Sequence, residues 1–279
     1  MPPALVVILV AGTGLSVGSF LNVCIHRLPR HLSIVTPRSA CPACAAPIAW
    51  HDNLPVLSYL LLGGRCRRCR APISLLYPLV EAATAILFLL ILHARGATPL
   101  FMLEAYLAAA LVALILIDAR HQILPNAITL PGIAVGLLTS PLRAGLDETA
   151  SASGLRSLRD ALFAASCGFA IPWCINALYR LWQAGRGVPA AEREDGIGRG
   201  DFKLLAMIGA FLGLELLLFC LFVGAISGAV FGVLMMRYAG YGWKSKLPYG
   251  VFLGAAAILA LFAGEASVRL YLRLVGIAT

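Results

Sequence analysis

Apolar residues in this chain neither alternate nor recur on one helical face; they come in long unbroken runs separated by short polar stretches. Such runs suit a bilayer, whose hydrocarbon core needs about 20 apolar residues per helical crossing. The first spans roughly Ala4 to Ile25 with no basic residue before it, so it reads as a retained first span rather than a cleavable leader. Further runs cover Leu75–Leu92, Pro99–Ile117, Ala127–Pro141, Ala161–Trp182, Phe202–Met236 and Leu247–Ala263. The 35 residues from Phe202 to Met236 exceed one crossing and are expected to break near Gly209 to Glu215. The pattern predicts an all-α polytopic membrane protein of about eight transmembrane helices, or seven if the short sixth does not cross. One long polar segment, Arg27 to about Ile73, separates the first span from the second. The expected organisation is a first transmembrane helix over 1–26, a polar module over 27–74 and a membrane core over 75–279.

Composition agrees. The 279 residues are 60% hydrophobic and 13% charged, with a mean hydropathy of +0.88. A soluble domain rarely leaves so few charges for its surface. The net charge of +9 is not gathered into one basic block, so nucleic acid is not an expected partner. Topology explains it instead. With the Arg27–Ile73 segment in the cytoplasm, sixteen Lys and Arg fall on the cytoplasmic side and six on the other.

Four of the eight cysteines form two pairs, Cys41-Pro42-Ala43-Cys44 and Cys66-Arg67-Arg68-Cys69, with 21 residues between them. Two such pairs can supply four thiolates in tetrahedral array, the usual closed structural zinc site. The segment is too short and polar to bury a core alone, so a metal would supply much of its folding energy. A redox reading would need a thioredoxin-like βαβ pattern around the pairs, which is missing. Cys24, Cys167, Cys174 and Cys220 lie in apolar runs and read as small core residues. Arg65, Arg67, Arg68 and Arg70 surround the second pair, and membrane lipids of an anionic leaflet are their expected partner.

Two acids stand where a membrane helix meets its boundary: Asp118 closes one run and Asp201 opens another, both on the cytoplasmic side of this topology. Either alone reads as a helix cap or a solvated helix end. Together they suggest two carboxylates sharing one proton, as in an aspartic protease. Gly198 and Gly200 precede Asp201; glycine admits backbone conformations closed to other residues and leaves room for an extended peptide. Lys203 could reach for lipid headgroups or tune the pair. His121 reads as a solvated loop histidine, Asn22 as a helix-packing hydrogen bond, and Glu192, Glu194 and Asp195 as a solvated acidic loop or an attractor of basic peptides. A proton-coupled transporter is the alternative from another class; its acids would line a path near the midplane. A zinc-ribbon membrane adaptor without chemistry is a third, and it leaves the glycine–aspartate stretch unexplained.

These motifs, in their order, resemble those of the bacterial prepilin peptidases, the type IV leader peptidases of pilus and type II secretion systems. The resemblance rests on Gly18-Ser19-Phe20-Leu21-Asn22-Val23 with Arg27-Leu28-Pro29, on Pro37-Arg38-Ser39, and on the two cysteine pairs. It continues through Tyr77-Pro78-Leu79-Val80-Glu81, Asp118 with Leu124-Pro125, and Gly198-Arg199-Gly200-Asp201-Phe202-Lys203-Leu204. Lys246-Leu247-Pro248-Tyr249-Gly250 completes it. Two departures are Asn126, where an aspartate is common, and His26, where a tyrosine often stands. The resemblance implies an inner-membrane aspartic endopeptidase cleaving the basic leader of prepilins and pseudopilins after a glycine at the cytoplasmic face. Asp118 and Asp201 would be its catalytic aspartates, and Cys41, Cys44, Cys66 and Cys69 its metal ligands. It further implies N-methylation of the new N-terminus with S-adenosylmethionine as donor. No glycine-rich strand-to-helix signature of a soluble methyltransferase is present, so that activity follows from the resemblance alone, and a peptidase without methylation is the alternative.

Overall fold

The computed structural model describes residues 3–146, 154–238, 240, 242 and 247–274, which fall into two compact units, Met1–Ala113 and Leu114–Thr279. Lys246 of the proline–aromatic–glycine segment lies outside the described residues. The helices are α1 (Pro3–Arg27), α2 (Leu57–Leu61), α3 (Leu76–Arg95), α4 (Pro99–His121) and α5 (Asn126–Leu138). They continue with α6 (Ser140–Leu146), α7 (Gly154–Gly185), α8 (Arg199–Tyr238), α9 (Tyr249–Leu259) and α10 (Glu265–Leu274). Strand structure among the described residues is limited to two isolated bridges, Ala40 with Pro47 and Arg65 with Pro72.

Among the described residues, six helical stretches are long and apolar enough to cross a membrane. The count differs from the expected eight at two places. Helix α5 has 13 residues, about 20 Å of rise, against a hydrocarbon core of about 30 Å. Helix α8 runs through 40 residues as one element but is broken at Gly213, whose φ of 79° and ψ of 178° lie outside the helical region. The break falls inside the 209–215 window that the length of the run required. Glycine is the residue that reaches this conformation without a Cβ penalty.

In the first unit α1 and α3 pack as an antiparallel pair, and the repeated four-residue spacing in α1 explains how. A Cβ on Gly14 would fall 2.6 Å from Ala85 Cα, and one on Gly18 would fall 2.6 Å from Glu81 Cα. One turn further, Asn22 Nδ2 donates to the Tyr77 carbonyl at 3.0 Å. Stepping four residues up one helix and four down the other keeps the same faces together, so small residues allow backbone contact and Asn22 closes the seam. Glu81 then carries the seam into the polar module. Its carboxylate accepts the Val56 amide at 2.7 Å and a side-chain hydrogen bond from Ser19.

In the second unit, the opening turns of α8 are enclosed by glycine contacts on two sides. On one side, a Cβ on Gly168 of α7 would collide with the Leu205 carbonyl, and one on Gly209 would collide with the Ala164 carbonyl. On the other, Gly132 of α5 faces the Met207 side chain, and Gly136 faces Ala210 and Phe211. Leu204, Leu205, Met207 and Ile208 are fully buried as a result. The later part of α8 packs on α9 through Gly224 against Leu253 and Gly228 against Phe252. These contacts fix where the first residues of α8 and α9 lie.

Candidate active site

The N-terminal ends of α8 and α9 and the C-terminal end of α4 build one site within the second unit. Asp201 is the third residue of α8, and Asp118 lies in the last turn of α4. Both are buried, with 7% and 5% of their surface exposed, and the two carboxylates interact electrostatically. Each points at backbone donors. Asp118 Oδ2 accepts the Val251 amide at 3.1 Å, and the Gly250 amide also donates to its carboxylate. Asp201 accepts the Gly198 amide, while its own amide donates to the Gly198 carbonyl at 3.0 Å. The unpaired amides of a helix start, aligned with its macrodipole, favour a negative group placed there.

The glycines act through space and not through unusual torsions. Neither Gly198 nor Gly200 has a positive φ. A Cβ on Gly198 would meet Asp201 Oδ2 at 3.0 Å, and one on Gly200 would meet Leu124 Cβ at 3.0 Å. Gly250 is tighter: its Cβ would lie 2.9 Å from Asp118 Oδ2 and 3.1 Å from Leu124 Cδ1. Leu124, three residues into the loop after α4, therefore wedges between the glycines of both helix starts. Gly250→Ala is expected to lower kcat for peptide cleavage about 10- to 100-fold by displacing the Asp118 carboxylate, with KM and Tm nearly unchanged. Steady-state kinetics on the variant measure this split.

Polar side chains on α7 set the approach to Asp201. Asn176 and Gln183, buried and two turns apart, hold the preceding loop by its backbone. Asn176 donates to the Ile197 carbonyl at 2.8 Å and accepts the Ile197 amide at 2.9 Å. Gln183 does the same for Glu194, at 3.0 and 3.1 Å. Asp195 of the acidic loop is paired with Arg180 and sits 3.9 Å from Arg199, so this acid is engaged locally. Lys203 Nζ donates to Asn126 Oδ1 at 2.6 Å. His121 is exposed at the end of α4. The Tyr249 ring belongs to the site as well, within electrostatic reach of Asp201. Sequence reasoning did not single out Tyr249, Gly250, Val251, Leu124, Asn176 or Gln183 as site residues. The available signals were a proline before an apolar run, and two amides seven residues apart at the end of another.

In the first unit the four cysteines come together, with their Sγ atoms all within 4.8 Å of one another. The two halves of the cluster are the same turn written twice. In Ala40–Pro47 the Cys41 amide donates to the Ala46 carbonyl and the Ala45 amide to the Cys41 carbonyl. In Arg65–Pro72 the Cys66 amide donates to the Ala71 carbonyl and the Arg70 amide to the Cys66 carbonyl. Ala45 and Arg70 both adopt positive φ, 53° and 59°, which curls each chain around its sulfurs. Amides of Cys69 and Arg68 draw the Cys66 thiol down to about 6, toward the thiolate a metal requires. A fork of hydrogen bonds from Arg67 to Asp52, 2.7 to 3.1 Å long, fastens the second turn to the intervening loop and holds the Asp52 carboxyl below its ordinary range.

Residues 13–94 match the family described as Bacterial Peptidase A24 N-terminal domain, and residues 105–233 match the Type IV leader peptidase family. The chain is 36% identical to a prepilin leader peptidase/N-methyltransferase of Pseudomonas aeruginosa, over 94% of this chain and 92% of that one. It is 34% identical to one of Aeromonas hydrophila, over 92% and 91%. With one of Myxococcus xanthus it shares 42% identity over 81% of this chain, spanning 62% of that longer protein. No solved structure gives a significant match. With relatives above 30% identity over nearly their whole length, this chain belongs to the type IV leader peptidase family.

Proposed function

We propose that this protein is a membrane aspartic endopeptidase that removes the basic leader of type IV prepilins and pseudopilins after a glycine, at the cytoplasmic face of the bacterial inner membrane. We further infer that it then methylates the new N-terminal amine with S-adenosylmethionine as donor. The observation that carries the peptidase reading is the buried Asp118 at the end of α4 acting electrostatically on the buried Asp201 at the start of α8. One carboxylate, ionised, takes a proton from water, whose oxygen attacks the carbonyl carbon of the scissile bond. The other, protonated, gives its proton to the carbonyl oxygen. Collapse of the tetrahedral intermediate breaks the C–N bond, and a carboxyl proton passes to the leaving amine. Gly198, Gly200 and Gly250 keep side chains out of the space around the two acids, and Lys203 with Asn126 supports the first turns of α8. Both acids lie in the terminal turns of their helices, which suits a leader that ends at the membrane boundary and does not suit a proton path through the midplane.

The cysteine cluster fits zinc. Four sulfurs at Zn–S distances of about 2.3 Å stand about 3.8 Å apart in a tetrahedron, and Cys41 Sγ and Cys69 Sγ are 3.8 Å apart. A zinc ion there would be held by Cys41, Cys44, Cys66 and Cys69 and would fold the module without entering the cleavage chemistry. S-adenosylmethionine carries a sulfonium, an ammonium and one carboxylate. The cavity of about 450 Å³ in the first unit, lined by Arg27, Arg38 and Trp50 and by no carboxylate, offers no partner for its two positive groups. The test is incubation of the purified protein with a synthetic prepilin and labelled S-adenosylmethionine. Cleavage after the glycine followed by label on the new N-terminus supports the reading. Complete cleavage without label would leave the peptidase standing and remove the methylation.

A further inference from the structure

We infer that the cavity between the end of α7 and the start of α8 is a binding site for one anionic phospholipid, and that the lipid braces the loop leading to Asp201. The inference goes beyond the peptidase reading and rests on the membrane class of the chain and on this cavity. The cavity measures about 590 Å³. At one end it is lined by Arg180, Arg193, Arg199 and Lys203 against a single acid, Asp195. Arg180 and Arg199 share that acid, and Lys203 is bonded to the neutral Asn126. Arg193 donates only its Nε, to the Val188 carbonyl, so its terminal nitrogens are open to a ligand among the described residues. Four cations against one carboxylate leave a net charge of about +3 looking for an anion, and guanidinium forks match phosphate oxygens.

The rest of the lining says which anion. Phe169 and Trp173 form its apolar wall and are 46% and 56% exposed. From Arg180 back to Phe169 is eleven residues of α7, about 16 Å of helix rise, comparable to most of an acyl chain. The wall lies within a membrane-crossing helix, while the cations sit where α7 ends and α8 begins. A charged head above an apolar groove matches a phospholipid, whereas a free phosphate would leave the groove unused. A basic leader peptide would be repelled. Asn176 lines the same cavity and holds the backbone N–H and C=O of Ile197, next to Gly198, so filling the cavity restrains the segment that positions Asp201.

The test uses the delipidated full-length protein in non-ionic detergent. It is titrated with phosphatidylglycerol or with phosphatidylcholine of the same chains, and bound lipids are counted by native mass spectrometry. One phosphatidylglycerol is expected to bind in preference, and to slow hydrogen exchange over residues 194–198. The double variant Arg193→Gln, Arg199→Gln should bind it about thirtyfold more weakly, from about 1 kcal/mol of attraction per basic residue near anionic lipid. Arg193→Lys with Arg199→Lys, which keeps the charge and loses the fork, should bind it about three- to tenfold more weakly than the unaltered protein and more tightly than the Gln variant. Equal binding of the two lipids, or undiminished binding by the folded Gln variant, would overturn the inference. So would displacement of the lipid by an equal concentration of glycerol 3-phosphate, which would make the cavity a phosphate site.

Discussion

Asp201→Asn and Asp118→Asn are each expected to lower kcat for prepilin cleavage by at least about 10⁴-fold while leaving Tm close to that of the unaltered protein, because general acid–base roles contribute 10²–10⁴ each and both roles depend on the pair. The substitution is nearly isosteric. An Asn oxygen at 201 can still accept the Gly198 amide, and one at 118 the Gly250 and Val251 amides, so the helix starts keep their caps. What is lost is the single proton held between two acids. Without Asp118 nothing shares it with Asp201, and an amide neither takes a proton from water nor gives one to a carbonyl. The same requirement sets the sign of the pH dependence. At low pH both acids are protonated and no base remains; at high pH both are ionised and no acid remains, so kcat/KM of the unaltered enzyme is expected to be bell-shaped with apparent values belonging to the pair. Cleavage assayed in detergent over a pH series measures both expectations, and cleavage at the unaltered rate by both variants would end the dyad.

Much of this site was legible in the chain because acids at the mouths of membrane helices are costly and therefore informative. Asp118 and Asp201 stood out on that ground, and so did the two cysteine pairs, whose repeated spacing becomes a repeated turn with Ala45 and Arg70 in matching conformations. The break in the Phe202–Met236 run was legible from length alone, since no single crossing needs 35 residues, and it falls at Gly213. Other features depend on tertiary approach and leave no local pattern. Nothing near Gly250 says that its amide faces Asp118, 132 positions away, because that meeting is set by how α9 packs along α8. Of the two reasons the sequence offers for the glycines before Asp201, backbone freedom does not apply, because their torsions are ordinary, while the need for space does, against Asp201 Oδ2 and Leu124. Glu81, an acid inside an apolar run, ties α1, α3 and the polar module together through Ser19 and Val56, which no local pattern announces.

The proposed zinc site predicts the second large effect, confined in the first instance to the polar module. The segment between α1 and α3 has only the five residues of α2 as α-helix, and its large side chains Leu32, Val35, Trp50, Leu60 and Leu61 are exposed. Such a segment buries too little apolar surface to offset the entropy of ordering its backbone, which costs on the order of 1–2 kcal/mol per residue. A structural zinc site contributes an apparent 10–16 kcal/mol at neutral pH, as much as the whole stability of an ordinary domain, about 5–15 kcal/mol. The double variant Cys41→Ser, Cys66→Ser takes one sulfur from each turn. It is expected to purify with less than about a tenth of a zinc per chain, against about one for the unaltered protein. Amide exchange across residues 40–72 should become fast, the Cys41 and Cys66 amides included. Among the described residues, the backbone amides that bond the Asp118 and Asp201 carboxylates are those of Gly198, Gly250 and Val251, in the other unit. Cleavage by the variant should therefore remain at least about 10²-fold above that of Asp201→Asn, which loses a chemical role outright. A chelated, metal-free protein whose Cys41 and Cys66 amides still exchange slowly would show that the two turns hold themselves without zinc.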